Sequence, residues 1–347
     1  MRPAAQAAVP AVAASVTASG GLAGYPRVSL VCEPTPLHLA PRLSRELGVR
    51  VLLKRDDLTG VGLGGNKLRG LEYIIADALG QGCDCLVTGA GPQSNWTMLA
   101  ALACLRYDIE PWVVCYGTSA ASEGNMRLHR WLGVNVRFTG AADRSSVDVG
   151  IEATAAELRT HGRHPYVVPR GGATPLGALG YLRASFELAG QLTAMGERPA
   201  AVWVATGSCG TQAGLLAGAA LAGAALAGVP HAVAGVTVSR PVAEAAERVR
   251  ALAAGAVSLA GADVTVPGPL VIDGWIGPGY GVPSPAGGAA ARLVAATEGV
   301  FLDPVFGAKA MAALIARCRA GRVRGTQVFL VSGGAPTLFA GSLDGAR

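Results

Sequence analysis

The sequence of 347 residues predicts an α/β protein whose sheets are mostly parallel. Short segments of nearly continuous apolar residues alternate with longer segments whose apolar side chains recur at helical spacing. Strands of this kind are typical of parallel sheets that are buried on both faces. Glycine-rich loops follow several of these strands, and ligands collect at such strand ends in open α/β sheets. The pattern therefore predicts both the fold class and the edge at which a binding site is expected.

The predicted elements alternate along most of the chain. Strands are predicted at residues 86–88, 112–116, 134–138, 166–168, 201–205, 233–238 and 328–331. Helices are predicted at residues 93–106, 122–132, 177–192 and 211–226. Residues 253–262 have the weakest pattern, and we expect a loop there. The length allows one large domain or two smaller ones.

The charge pattern argues against a nucleic-acid-binding protein. The formal net charge is +6, but no long run of basic residues occurs. The densest group is typical of a solvated helix end and consists of Arg317, Arg319, Arg322 and Arg324. Hydrophobic residues make up 51% of the chain and aromatic residues only 5%, so the core is expected to contain mainly small and aliphatic side chains.

Two apolar segments raise the question of a membrane span or a secretion signal. Residues 200–239 contain no charged side chain, but glycine and polar residues interrupt them, which favours a buried strand–loop–helix–strand unit over a membrane span. Residues 1–20 are rich in alanine without a leucine-rich core, which predicts a disordered extension. The seven cysteines have no metal-ligand spacing, so we expect buried free thiols in a cytoplasmic protein.

Lys67 is the first candidate for a catalytic residue. It follows two glycines in the segment Leu-Gly-Gly-Asn-Lys-Leu-Arg at residues 63–69, and a helix is predicted to begin at once. The glycines let a ligand approach the backbone closely, and the positive end of a helix should lower the pKa of the ammonium group. A neutral lysine can attack an aldehyde and hold it as a Schiff base. The alternative is a surface lysine in a turn.

A second loop has the features of a phosphate site. Thr-Gly-Ser-Cys-Gly-Thr at residues 206–211 joins a predicted strand to a predicted helix, where backbone N–H groups and hydroxyl groups suit a phosphate dianion. The candidate phosphate ligands are Gly207, Ser208, Cys209, Gly210 and Thr211. The loop lacks both the P-loop ending and the acidic residue of a dinucleotide fingerprint. A nucleotide-binding Rossmann-like protein is therefore disfavoured, and a plain tight turn is the simpler alternative.

Polar residues between a further strand and helix are candidates for binding a carboxylate. Ser94 and Asn95 stand there, and Ser94 could also relay a proton if a lysine lies close; the alternative is an ordinary helix cap. Tyr280 stands in a rigid Pro-Gly-Tyr-Gly-Val-Pro turn, from which it could donate a proton or cover a pocket wall. The five histidines have no ligand spacing, so no metal site is expected.

An aldehyde-binding lysine, a phosphate loop and a carboxylate loop together describe pyridoxal phosphate acting on an amino acid. This cofactor supplies an aldehyde, a phosphate and an electron sink. No other common ligand needs all three features. A small-molecule amino acid is the partner that such a site implies.

The chain also resembles a known family, the D-cysteine desulfhydrases and 1-aminocyclopropane-1-carboxylate (ACC) deaminases. The resemblance extends from Pro34 to Pro336 and includes the motifs Lys-Arg-Asp-Asp at 54–57, Gly-Gly-Asn-Lys-Leu-Arg at 64–69 and Gln-Ser-Asn at 93–95. Further matches are Gly-Ala-Leu-Gly-Tyr at 177–181, Thr-Val-Ser-Arg at 237–240, Gly-Tyr-Gly at 279–281, Leu-Asp-Pro-Val at 302–305 and Gly-Gly-Ala-Pro at 333–336.

The resemblance implies a fold of type II among pyridoxal phosphate enzymes, with two three-layer αβα domains of mostly parallel, twisted sheets. Residues 21–69 and 177–347 would form the large cofactor-binding domain, and residues 70–176 a smaller inserted domain. The cofactor would lie in the cleft between them. A homodimer is also implied by the family.

By the same resemblance, Lys67 binds the cofactor and later moves protons, with Asn66 beside it. Residues 207–211 hold the phosphate. Ser94 and Asn95 receive the substrate carboxylate and touch the cofactor, with Ser94 a possible base. Tyr280 matches one of two active-site tyrosines. Ser332 takes the place of a threonine near the pyridine nitrogen, where a neutral hydroxyl gives a weaker electron sink that suits β-elimination.

Three positions depart from the family pattern. Phe306 replaces the second tyrosine; it can stack on the pyridine ring but cannot transfer a proton. Gly307 stands where ACC deaminases carry a glutamate, and Trp96 follows Ser94 and Asn95 where His or Gln is usual, at the substrate end of the pocket. The expected activity is α,β-elimination from a small amino acid, as in D-cysteine desulfhydrases. The alternatives are β-replacement or another carbanion reaction, ACC deamination, and a cofactor-binding protein without catalysis.

Overall fold

The structure is a computed structural model that describes residues 21–225 and 232–341. The predicted extension at residues 1–20 and His231 lie outside the described residues. The described chain forms two sheets, each covered by helices on both faces. No helix in these two ranges is long and apolar enough to cross a membrane.

The larger sheet is built from the two ends of the described chain. Its strands are β1 (Leu37–Leu39), β2 (Val51–Arg55), β7 (Pro199–Thr206), β8 (Ala232–Thr237), β9 (Leu270–Ile272) and β10 (Thr326–Val331). They lie in the order β1-β2-β10-β7-β8-β9, and all neighbours are parallel except β1 and β2. The central strands are buried on both faces, which explains their nearly continuous apolar sequences.

The smaller sheet is formed by the middle of the chain and is parallel throughout. Its strands are β3 (Cys85–Ala90), β4 (Glu110–Cys115), β5 (Asn135–Phe138) and β6 (Pro165–Val167). Their order is β5-β4-β3-β6. The predicted α/β class with mostly parallel sheets is therefore confirmed.

Helices cover both faces of the two sheets. The described helices are α1 (Pro41–Leu47), α2 (Lys67–Gly80), α3 (Asn95–Arg106), α4 (Gly124–Trp131), α5 (Ser146–Thr160), α6 (Pro175–Ala194), α7 (Gly210–Ala225), α8 (Val242–Leu259), α9 (Pro285–Glu298) and α10 (Gly307–Arg319). Helices α6, α7 and α8 pack on one face of the larger sheet, and α1, α9 and α10 on the other. Helices α2 and α3 cover one face of the smaller sheet, and α5 the other.

Two predictions about the fold are wrong in part. The predicted loop at residues 253–262 is wrong for residues 253–259, because α8 continues to Leu259 and packs Ala253, Ala256 and Val257 into the core. The small alanine side chains give a weak amphipathic signal, yet they let α8 pack closely on its neighbours. The seven cysteines are free thiols as expected, but Cys32 is exposed and Cys83 is only half-buried.

The chain passes between the two sheets where α2 and α6 cross. Glycines allow this close contact: a Cβ at Gly70 would come within 2.7 Å of the carbonyl oxygen of Gly177, and one at Gly180 would collide with the backbone of Arg69. We propose the two-domain division, with residues 70–176 inserted, because its boundaries fall in the first turns of these helices and each part contains its own sheet.

Candidate active site

A cavity opens at the ends of strands from both sheets. Residues of the larger sheet and its loops form one wall, and residues at or beyond the ends of β3, β4, β5 and β6 form the other. Ten of the predicted site residues line it: Asn66, Lys67, Ser94, Asn95, Trp96, Gly207, Ser208, Tyr280, Phe306 and Ser332. Motifs separated by up to 266 positions in the sequence are thus brought to one place.

Lys67 is the first residue of α2 and is half-buried at the cavity wall. The N–H of Asn66 donates to the carbonyl oxygen of Ser332 at 2.9 Å, which fixes the start of α2 against the end of β10. Gly64 and Gly65 have φ angles of 70° and 143°, in the region that favours glycine. A Cβ at Gly64 would collide with the backbone of Asp57, so this glycine serves chain packing rather than ligand approach.

The pKa of Lys67 is lowered to about 8, mainly because burial disfavours the charged ammonium, while the nearby Cys209 and Asp303 act in the opposite direction. The expected direction is found, but burial rather than the helix terminus is its main cause. A lysine with this pKa is partly neutral near pH 8 and can act as a nucleophile and as a base.

The other two lysines of the sequence are buried and engaged elsewhere. Lys54 donates to the carbonyl oxygen of Thr35 at 2.8 Å and pairs with Glu187. Lys309 donates to the carbonyl oxygens of Ile276 at 2.7 Å and Gly279 at 3.2 Å. Lys67 is therefore the one lysine among the described residues that lines this cavity.

A buried charge cluster anchors the helix that carries Lys67. Arg69 is 1% exposed and donates to both carboxylate oxygens of Asp56, at 2.7 and 2.9 Å, and to both oxygens of Glu187 at 3.0 Å. The Tyr181 hydroxyl also donates to Asp56. Paired buried charges of this kind hold a defined geometry, and breaking one pair is strongly destabilising. The cluster ties the start of α2 to the segment after β2 and to α6.

The phosphate loop runs from the end of β7 to Gly210, the first residue of α7. Its carbonyl groups are held from one side: Ser239 Oγ and Arg240 Nε both donate to the oxygen of Gly207 at 3.1 Å, and Arg248 Nε donates to that of Ser208 at 3.2 Å. In a planar trans peptide the following N–H points the opposite way. The N–H groups of Ser208 and Cys209 therefore face away from these donors.

This loop fits a phosphate group. Cys209 adopts a left-handed φ of 79°, which brings successive N–H groups to one side of the loop, and the positive end of α7 follows. The Cys209 side chain is buried and takes no part in lining the cavity. Gly210 and Thr211 stand in the first turn of α7, just behind the lining residues.

Ser94 and Asn95 stand at the start of α3, as predicted. Ser94 is its N-cap: the Oγ accepts hydrogen bonds from the N–H groups of Trp96 and Thr97 at 3.2 and 3.4 Å. The capping role is thus present, and the hydroxyl also faces the cavity. Asn125, which the sequence did not single out, donates from Nδ2 to Oδ1 of Asn95 at 2.9 Å and orients that side chain.

Trp96 lines the cavity but is only 3% exposed. Its indole N–H donates to Thr88 Oγ1 at 2.8 Å, and its ring lies against Gly172, where a Cβ would collide with it. Most of the ring therefore belongs to the core of the smaller sheet, and it limits the depth of the cavity rather than projecting into it.

Tyr280 and Phe306 form an aromatic pair, with ring centroids 6.1 Å apart at 66°. Burial raises the pKa of Tyr280, so its phenol stays protonated and can donate a hydrogen bond. A Cβ on Gly207 would lie 3.3 Å from the Phe306 ring, which places that ring against the phosphate loop. Buried Lys309, which was not singled out from the sequence, stabilises the loop that carries Tyr280 through its hydrogen bonds to the carbonyl oxygens of Ile276 and Gly279.

Asp303 explains the glycine at position 307. Its carboxylate accepts hydrogen bonds from the N–H groups of Val305, Phe306 and Gly307 at 3.1, 2.6 and 2.7 Å. A Cβ at Gly307 would come within 2.9 Å of the Asp303 Oδ2. Burial raises the pKa of Asp303 to about 6, although these N–H groups lower it.

Three arginines at the cavity wall were given no site role from the sequence: Arg144, Arg170 and Arg240, the last of which ends the Thr-Val-Ser-Arg motif at 237–240. Each lies within about six residues of the carboxyl end of β5, β6 or β8. The rule that ligands bind beyond strand ends could therefore have found them. Their scattered positions gave no cluster in the sequence. Among the described residues, no group of histidine, cysteine or acidic side chains could hold a metal ion.

Comparison with known proteins agrees with this geometry. The model of a family described as "Pyridoxal-phosphate dependent enzyme" matches residues 28–333. A putative 1-aminocyclopropane-1-carboxylate deaminase from Pyrococcus abyssi is 37% identical over 318 residues, covering 92% of this chain and 94% of the relative. A D-cysteine desulfhydrase from Salmonella paratyphi B is 38% identical over 331 residues, covering 92% and 97%.

A solved structure described as an ACC deaminase homologue has a TM-score of 0.86 at 35% identity and covers 93% of this chain and 96% of that chain. The predicted type II fold and the pyridoxal phosphate cofactor are thereby confirmed. The chain belongs to the pyridoxal phosphate-dependent enzymes, among which its relatives are lyases and deaminases of amino acids.

Proposed function

We propose that the protein catalyses α,β-elimination from a small amino acid, most like the D-cysteine desulfhydrases. The products would be a keto acid, ammonia and a released thiol or sulfide. The observation that carries the proposal is Lys67, a lysine with a pKa lowered to about 8 that lines the same cavity as Gly207 and Ser208 of the phosphate loop. Bound there, the cofactor supplies an aldehyde for the substrate amino group and an electron sink.

The chain's own residues would divide the remaining work. The N–H groups of residues 208–211 and the hydroxyls of Ser208 and Thr211 would hold the phosphate. Ser94 and Asn95 would bind the substrate carboxylate, with Asn95 oriented by Asn125. Lys67 would remove a proton from the substrate, and Ser94 is a second candidate for that base.

Ser332 favours elimination over transamination. It lines the cavity at the end of β10, where the resemblance expects a hydroxyl near the pyridine nitrogen. A neutral hydroxyl does not enforce protonation of that nitrogen, so negative charge on the substrate is delocalised less completely. Departure of a β-leaving group would then compete well with protonation of the substrate elsewhere.

ACC deamination is disfavoured by two side chains. Phe306 lines the cavity without a hydroxyl, and Gly307 supplies no carboxylate. Tyr280 and Tyr116 are the tyrosines that line the cavity in the described part of the chain, and position 306 adds no third phenol. Elimination of a good leaving group needs less acid–base assistance than opening of a cyclopropane ring, so it fits this reduced set of proton donors better.

β-Replacement is the second candidate. It is favoured by the absence of a hydroxyl at Phe306, because fewer proton donors then lie beside the product of elimination. It is also favoured by Trp96, which closes the deep end of the cavity. A second nucleophile could then intercept the unsaturated product before water does. A cofactor-binding protein without catalysis is the remaining alternative and also rests on Phe306.

The test is a product analysis of the cofactor-loaded protein. D-Cysteine, L-cysteine and ACC are added separately, and sulfide, keto acid and ammonia are measured, with Lys67→Ala as the control. Sulfide and keto acid in equal amounts from a cysteine enantiomer support elimination. If cysteine is consumed together with an added thiol and no keto acid forms, the reaction is β-replacement and not elimination. If an amino acid shifts the cofactor spectrum but none is turned over, the protein binds the cofactor and the amino acid without catalysis.

We also infer a homodimer and a cytoplasmic location. The first rests on the family resemblance and the second on seven free cysteines. Light scattering of the purified protein at several concentrations tests the oligomeric state, and a mass equal to one chain of 34.9 kDa would contradict it.

A further inference from the structure

The arrangement of charges in the cavity wall goes beyond what a neutral amino acid requires. Four basic side chains line the cavity, and no Asp or Glu does so among the described residues: Lys67, Arg144, Arg170 and Arg240. Lys67 is assigned to the cofactor aldehyde, and Arg240 contacts the phosphate loop. Ser94 and Asn95 are the residues to which the proposed function assigns the substrate carboxylate. Two arginines on the wall of the smaller sheet are left without a ligand.

Arg144 is the more informative of the two. It lies in the loop between β5 and α5, and its guanidinium carbon stands 3.8 Å from the centroid of the Tyr280 ring. Within residues 21–225 and 232–341, no hydrogen bond or ion pair of this guanidinium is found. The neighbouring Asp143 accepts a hydrogen bond from Ser145. Arg144 therefore contacts one wall of the cavity by stacking and keeps its N–H donors free.

Arg170 reinforces the positive charge at the same wall. It follows β6, and its guanidinium pairs with the half-exposed Asp148 on the outer side, with Nη2 to Oδ2 at 3.0 Å and Nε to Oδ1 at 3.1 Å. This pair partly neutralises Arg170 and holds it in place. The net charge that remains unbalanced at this wall is thus mainly that of Arg144.

We propose that Arg144, assisted by Arg170, binds a second negatively charged group on the side chain of the substrate. This proposal rests on the proposed function, since it assumes an amino acid substrate. An arginine that stacks on an aromatic face presents the edge of its guanidinium, whose paired N–H groups match a carboxylate, phosphate or sulfonate. The preferred substrate is therefore an amino acid whose β-substituent carries a negative charge, and the same α,β-elimination would release that substituent.

The test compares two ligands that differ in charge but share a serine backbone. O-Phosphoserine and O-methylserine, each as D and L enantiomers, are titrated into the cofactor-loaded enzyme, and dissociation constants are taken from the shift of the visible band. The wild type is expected to bind one O-phosphoserine enantiomer at least about tenfold more tightly than the matching O-methylserine, as a charge-assisted contact predicts. Equal affinities, or a preference for the methyl ether, would overturn the proposal.

Two variants separate ligand binding from a structural role. Arg144→Gln should remove most of the preference for O-phosphoserine while leaving O-methylserine binding unchanged. A matched control is Arg137→Gln, because Arg137 also stacks on an aromatic ring, that of Trp112 at 4.7 Å, but does not line the cavity. This control should keep the preference. If Arg144→Gln weakens both ligands equally, Arg144 only positions Tyr280, and the proposal fails.

The outcome is distinguishable from a failure of the proposed function. Tight binding of O-phosphoserine without keto acid formation would support the anion site at Arg144 and contradict the proposed elimination activity. Turnover of cysteine with no preference for anionic ligands would do the reverse.

Discussion

Asn66 donates a hydrogen bond from Nδ2 to Oγ1 of Thr211 at 3.0 Å and so joins the two ends of the cofactor site. Asn66 directly precedes Lys67, and Thr211 stands in the first turn of α7 beyond the phosphate loop. Both side chains are buried. The distance between the lysine and the phosphate loop is therefore fixed by the protein before any cofactor binds.

Removing this link should weaken cofactor binding. In Asn66→Ala we expect affinity for pyridoxal phosphate to fall about tenfold, close to the ~1.4 kcal/mol of one lost buried hydrogen bond. Equilibrium dialysis or the visible band measures it. Asn135→Ala is the matched control, since Asn135 donates to Glu110 at 2.9 Å far from the cavity. Equal affinity in Asn66→Ala and the wild type would show that the link is unimportant.

The lowered pKa of Lys67 makes cofactor loading depend on pH. The lysine must be neutral to attack an aldehyde, and its pKa of about 8 lies below the ordinary value of 10.5. The neutral fraction rises with pH through the pKa, so the rate of cofactor incorporation into the cofactor-free protein should increase from pH 7 to 9 and then level off. Stopped-flow absorbance follows this rate. A rate of incorporation that is still rising at pH 10 would mean that the pKa of Lys67 is not lowered to about 8.

Cys209 should tolerate glycine but not a branched side chain. Its φ of 79° disfavours any residue with a Cβ, by an amount on the order of 1 kcal/mol. Cys209→Gly is expected to keep the free energy of unfolding within ~1 kcal/mol of the wild type and to bind the cofactor normally. Cys209→Val should lower both stability and cofactor affinity, because a β-branched residue fits this conformation worst. Urea unfolding measures the free energy of unfolding. Similar free energies for Cys209→Gly and Cys209→Val would show that the backbone at this position is not strained.

Restoring the missing hydroxyl should not create an ACC deaminase. Phe306→Tyr is expected to fold and to bind the cofactor, yet release no ammonia from ACC, because Gly307 supplies no carboxylate. Adding Gly307→Glu should destabilise the protein, since even a Cβ there comes within 2.9 Å of the Asp303 carboxylate. Ammonia release by Phe306→Tyr alone would show that the hydroxyl is the single obstacle.

The sequence predicted the fold well because the strand pattern and the glycine loops are local signals. Lys67, the loop at residues 207–211 and Ser94 each follow a strand or start a helix, so their positions could be read without knowing the tertiary structure. Asn125 could not be found in this way, because it acts through Asn95, a partner distant in sequence. Arg144 follows β5 by six residues, so its place near the cavity was predictable, but its contact with the ring of Tyr280 was not. The helix at residues 253–259 was missed because alanine packs closely without marking one face as apolar.

The central claim is that Lys67 holds pyridoxal phosphate, and the three lysines of the chain make it directly testable. The cofactor-loaded protein is reduced with borohydride, digested and examined by mass spectrometry. The account predicts a phosphopyridoxyl group on Lys67 alone, with Lys54 and Lys309 unmodified because both are buried in hydrogen bonds. It also predicts no visible band in Lys67→Ala that responds to borohydride. Labelling of another lysine, or an unchanged band in Lys67→Ala, would contradict it.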